Sequence, residues 1–88
     1  MSRVIHKLTL TEMSQTIKVS VDAFKVLTVH EQNGVPTIWY ETVEKPMIPV
    51  EVRFVTVATG GDVPENSVYV GTTFCGNYVW HIYQVPAM

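Results

Sequence analysis

A chain of 88 residues with one cysteine excludes a second hydrophobic core and an internal disulfide. Six Lys and Arg against eight Asp and Glu, with the basic residues Arg3, Lys7, Lys18, Lys25, Lys45 and Arg53 scattered, exclude the basic stripe of a duplex binder, so nucleic acid is not an expected partner. With 47% hydrophobic and only 16% charged residues, against a usual charged share of about 25%, part of the surface is expected to be covered by another copy of the chain, which makes the protein a homo-oligomer.

The elements follow in period two. Val4, His6, Leu8 and Leu10 alternate with Arg3, Ile5, Lys7 and Thr9, which predicts a first strand with one mostly apolar face. Thr11-Glu12-Met13-Ser14 turns the chain into a short second strand, Thr16 to Val19, and Ser20-Val21-Asp22-Ala23 supplies the next turn. From Phe24 to Gln32 both faces hold apolar residues, so this strand is expected to be central or packed on two sides. Asn33-Gly34, flanked by two such runs, suits the left-handed dihedrals of a type I′ hairpin turn.

The partner strand runs from about Pro36 to Glu44, with Pro36 at its start or on an edge because it donates no backbone hydrogen bond. Glu44 to Pro49 reads as a loop, Val50 to Thr59 as a strand whose second half is covered on both sides, and Thr59 to Ser67 as the longest turn-forming stretch. Val68-Tyr69-Val70 is followed by a break at Gly71, and Cys75-Gly76-Asn77 turns the chain into a last strand from Tyr78 to Val85. The expected fold is therefore all-β, a single small antiparallel barrel or two-sheet sandwich of six or seven short strands over residues 1–88, with little or no helix. The first residues lack the apolar core of a signal peptide, and the uncharged stretch Asn66 to Met88 is interrupted by Gly71, Gly76, Asn77, His81 and Gln84. Neither export nor a membrane partner is expected, and a reducing cytoplasm is the expected compartment.

Gln32-Asn33-Gly34-Val35-Pro36-Thr37-Ile38-Trp39, then Thr59-Gly60-Gly61-Asp62-Val63-Pro64, Tyr69-Val70-Gly71-Thr72 and Val79-Trp80-His81-Ile82-Tyr83 resemble, in order and spacing, a family of short uncharacterised proteins encoded mainly by tailed bacteriophages and prophages. The likeness covers nearly the whole chain, while the tail Gln84-Val85-Pro86-Ala87-Met88 departs from it. The resemblance implies a phage origin and a place in the infected bacterial cytoplasm. It carries over no catalytic or ligand residue.

Several residue types could carry chemistry. His6, His30 and His81 fall on three different strands and lack metal-ligand spacing, so no metal or other cofactor is expected. Cys75 has only His81 within one hairpin's reach as a base, and a small apolar filler is the plainer role. Glu41, Glu44 and Glu51 flank one loop as solubilising charges rather than an acid–base pair. No catalytic residue is assigned, and the chain is read as a non-enzyme.

What remains is binding. Thr59, Gly60, Gly61 and Asp62 form the longest irregular segment and are the expected binding loop, with Arg53 as an anion partner and Trp39 or Trp80 as a stacking wall. The expected function is that of a phage accessory protein, a counter-defence factor that masks a host protein or sequesters a small nucleotide signal. A minor virion or assembly component is the alternative, and a small enzyme without a recognisable motif is a third option.

Overall fold

The computed structural model describes residues 3–20, 23–43 and 48–86. Within them lie seven strands and no helix: β1 (Arg3–Thr9), β2 (Ser14–Ser20), β3 (Lys25–Gln32), β4 (Val35–Val43), β5 (Pro49–Ala58), β6 (Val68–Cys75) and β7 (Tyr78–Pro86). Every pairing is antiparallel, in a three-stranded sheet ordered β1-β4-β3 and a four-stranded sheet ordered β2-β5-β7-β6. The two-sheet alternative is thus the one the chain adopts.

Alternation decides which side chains meet between the sheets. Leu8 lies opposite Ile38, which lies opposite Val29, and in the other sheet Ile17 lies opposite Val52. Ile38, Phe54 and Ile82 are 0% exposed, and Leu10, Val19 and Val52 complete the buried cluster. Phe24 caps it with its ring 5.5 Å from Tyr40 and 6.3 Å from Phe54, joining the sheets at one end. Removing a buried aromatic such as Phe54 costs about 3–5 kcal/mol in comparable cores.

The turns follow local chemistry. Asn33 and Gly34 have φ of 53° and 80°, and Gln32 pairs with Val35, so the expected two-residue hairpin turn is present. A second two-residue turn, Gly76-Asn77, links Cys75 to its partner Tyr78. Pro36 sits one residue into β4, where its carbonyl still accepts from Leu10 N at 2.8 Å.

Three expectations require correction. The strand after Phe24 is an edge strand, since β3 pairs with β4 alone. Its apolar residues occur on both phases because the register shifts between Val26 and Thr28, so that Val26 and Val29 both pack on the core while Leu27 is exposed. Gly71 does not break the strand at Val70; β6 continues to Cys75 through a register shift between Tyr69 and Gly71. The second strand is longer than Thr16 to Val19, because Ser14 and Ser20 also pair, with Val55 and Pro49. Of the expected turn at Ser20–Ala23 and loop at Glu44–Pro49, Val21, Asp22 and Glu44 to Met47 lie outside the described residues, as do Ala87 and Met88 of the tail.

Candidate functional site

β5 leaves the core with its phases sharply divided. Phe54 and Thr56 point between the sheets, whereas Glu51, Arg53, Val55 and Val57 share the outer face, as the alternation predicts. At its end Gly61 N donates to Ala58 O at 2.9 Å, and Gly60 takes φ 94°, which closes a turn around Thr59 and Gly60. The turn folds the chain back over Val57: a Cβ on Gly61 would lie 2.8 Å from Val57 Cγ1. Val57 is consequently 9% exposed although it faces outward, which is how the second half of β5 comes to be covered on both sides.

This fold-back delivers Thr59 to His81. Thr59 Oγ1 and His81 Nε2 are 2.9 Å apart, His81 Nδ1 and Thr72 Oγ1 are 3.0 Å apart, and the Thr72 hydroxyl in turn bonds the Tyr69 hydroxyl. A chain of hydrogen bonds therefore runs from the 59–62 loop across β7 to β6. Both ring nitrogens of His81 are held by threonine hydroxyls.

Around that chain the outer face of the four-stranded sheet is apolar. Val55, Tyr83 and Tyr69 lie side by side on β5, β7 and β6, with the two tyrosine rings edge to face at 5.6 Å, and Val79 lies opposite Phe74. Phe74 is 71% exposed and Tyr69 55%. The charges carried by the strands of this face, on Lys18, Glu51 and Arg53, are confined to β2 and the first half of β5.

The expected binding residues are placed in three regions rather than one. Thr59, Gly60, Gly61 and Asp62 stand at the His81 end of the outer face, and Thr59 takes part in its hydrogen-bond chain. Arg53 shares that face but donates to Ser14 Oγ at 3.2 Å, roughly 20 Å along β5 from the loop. Trp80 lies opposite Ala58, next to the loop in register yet on the inward phase, and stacks on Tyr78 at 5.6 Å. Trp39 belongs to the other sheet, where it meets the edge of His30 at 6.5 Å. Trp80 thus stands beside the 59–62 loop on the opposite phase of the sheet, and Trp39 lies apart from it.

The remaining chemistry-bearing residues are dispersed. His6 packs near Tyr40 at 5.9 Å, so the three histidines occupy separate surfaces, and among the described residues no group of three or more His, Cys, Asp and Glu could hold a metal. Cys75 is buried, and because it pairs with Tyr78 while Thr72 pairs with His81, the thiol and the imidazole take opposite phases of the sheet. Burial pushes the thiol's pKa up, the Glu31 charge adds to this, and a hydrogen bond with Thr73 works against it. Glu41 is bound to Arg3 at 2.8 Å.

A second concave region opens at the end of the sandwich. It is a cleft of about 330 Å³ between the β1–β2 turn and the β3–β4 hairpin, bordered by Glu12, Met13, Val35, Pro36, Thr56 and Trp80. Sequence reasoning missed the Tyr69, Thr72 and Phe74 side of the outer face and missed Glu12 and Thr56 altogether. The first group was open to inference, since a two-residue turn at Gly76-Asn77 sets Thr72 opposite His81; the second is brought together by packing between distant strands.

The architecture defines a class, that of small two-sheet antiparallel β proteins. Within it, the chain belongs to the family described as Domain of unknown function (DUF7352), which it matches over residues 1–88. No curated protein and no solved structure matches the chain. Among the described residues no helix is long and apolar enough to cross a membrane.

Proposed function

We propose that this chain is a non-enzymatic binding protein that works as a symmetric homo-oligomer, joined through the outer face of β5, β7 and β6. The observation that carries this reading is the exposure of Phe74 and Tyr69, on either side of the Thr72–His81 row, on the outer face of a chain with few charges. The occupant that suits it is a second copy of the same face. Val55, Val79, Tyr83, Tyr69 and Phe74 carry no charge, so a two-fold axis sets neutral surface on neutral surface, while a highly charged partner finds no countercharge there.

Within this reading the protein is a phage accessory factor in the host cytoplasm that acts against a host defence. Its resemblance to short phage and prophage proteins supports that setting. Of the two targets, a host protein fits better than a nucleotide signal, because among the described residues no Lys or Arg borders the end cleft and Arg53 is remote from the 59–62 loop. The virion-component alternative predicts the chain in purified particles, which mass spectrometry detects.

Light scattering at micromolar concentration tests the assembly. The expected mass is at least two chains, falling to one in Phe74→Glu with the circular dichroism spectrum retained. A wild-type monomer of 9.9 kDa overturns the proposal.

A further inference from the structure

We infer that the outer face of the three-stranded sheet binds a short single strand of nucleic acid, with Trp39 stacked on a base and Arg3, Lys7 and Lys25 on its phosphates. This inference is independent of the oligomer reading, whose contact face belongs to the other sheet.

The first observation is a gathering of charge that the sequence hides. Leu8, Ile38 and Val29 turn one phase of β1, β4 and β3 towards the core, so the alternate phase carries Arg3, Lys7, Trp39, Glu41, Lys25 and His30 to the outside. Residues far apart in the chain become neighbours there: Trp39 lies between Lys7 and Thr28, and Glu41 between Ile5 and Lys25. Three of the six Lys and Arg of a chain with net charge −2 thus share one face. The carboxylates of these strands do not cancel them. Glu41 is bound to Arg3 at 2.8 Å, and Glu31 takes the opposite phase, where it accepts from Gly34 N at 3.3 Å.

The second observation is an aromatic ring set among these cations. Trp39 is half-buried at the centre of the sheet, with the His30 ring steeply inclined to it at 6.5 Å. Lys7 Nζ donates to Gln32 Oε1 at 2.8 Å, which holds the ammonium across the sheet from β1 to β3, and an ammonium has two further N–H groups to offer a ligand. Ile5, 65% exposed beside Glu41, adds apolar surface.

Together these features select the occupant. A ring among fixed cations suits a polymer that alternates flat bases with phosphates. A second copy of this face would set its cations against the same cations, and an acidic peptide would meet the cations but leave Trp39 without a ring to stack on. Three cations are few for a duplex, whose binders commonly make about 6–10 phosphate contacts.

The test is fluorescence anisotropy of short labelled oligothymidylate and oligouridylate strands with the 88-residue chain, across a salt series starting near ~50 mM. Binding of either strand meets the expectation, and the tighter one names the polymer. The log–log salt slope should be about −2, from three phosphates at about −0.7 each. Lys7→Gln and Lys25→Gln should each weaken binding and make the slope shallower by about 0.7, whereas Lys18→Gln, on the other sheet, should change neither. Trp39→Val should weaken binding about tenfold, and Trp39→Phe, which keeps a ring, should restore most of it, with the circular dichroism spectrum retained. The lysine variants alter only exposed side chains, so they decide the matter even where Trp39→Val unfolds. No binding of either strand at about 1 mM protein overturns the inference. Polyglutamate bound as tightly as the nucleic acid, or a loss in Lys18→Gln equal to that in Lys7→Gln, does so as well.

Discussion

A Cβ placed on Gly71 of β6 would lie 3.1 Å from Val29 Cγ2 and 3.3 Å from Val29 Cβ, on the edge strand of the opposite sheet. The two sheets therefore close on each other along β3 and β6, and their separation there is set by the absence of a side chain at residue 71. Gly71→Val is expected to destabilise the protein by about 1–3 kcal/mol through overpacking, read as a lower urea midpoint. Val29→Ala in the same chain should restore part of the loss, since it removes the methyl groups that the new side chain meets.

Gly34 presents the opposite case. Nothing lies within 4 Å of a Cβ built there, so only its φ of 80° resists substitution. Gly34→Ala is expected to cost about 1–2 kcal/mol and Gly34→Val more, because a β-branched residue resists the left-handed region. Thermal unfolding checks both, and equal stability of all three proteins would contradict the turn's dihedral demand.

Cys75 gives a pH dependence. Its buried thiol keeps its proton above the ordinary value of 9.0, so the folded state binds the proton more tightly than the unfolded chain. The stability that this contributes is fully present below pH 9.0 and is lost as the pH rises towards the raised folded value. Cys75→Ala is expected to flatten the alkaline fall in a pH series of urea midpoints, leaving the share due to Tyr40, whose phenol is also raised by burial. In native buffer at neutral pH the thiol should react with a disulfide reagent far more slowly than in denaturant.

The bonds around His81 make a fourth prediction. Thr72→Val keeps the strand's shape and removes the hydroxyl that links His81 Nδ1 to Tyr69. The expected cost is about 0.5–1.5 kcal/mol, the usual net value of one hydrogen bond, with a change in the imidazole nitrogen shifts. Unchanged nitrogen shifts would show that the Thr72 hydroxyl does not hold the ring.

The alternating apolar residues of Val4 to Leu10 and Val50 to Thr59, the Asn33-Gly34 turn and the Cys75 to Tyr78 hairpin are local, and all were legible in the sequence because period-two burial and left-handed turn dihedrals are properties of neighbouring residues. By itself the sequence determined an all-β antiparallel fold with unusually few charges on its surface. The register shifts at Leu27 and Val70 were not legible, since a bulge alters the phase without altering composition. They misled the reading of β3 as a central strand and of Gly71 as a break. The division into β1-β4-β3 and β2-β5-β7-β6, the fold-back of Gly61 onto Val57, and the meeting of Glu12, Thr56 and Trp80 at one cleft were decided only by the tertiary structure. Each joins residues distant in the chain, and the contacts that select it are paid for by burial that no single strand can achieve alone.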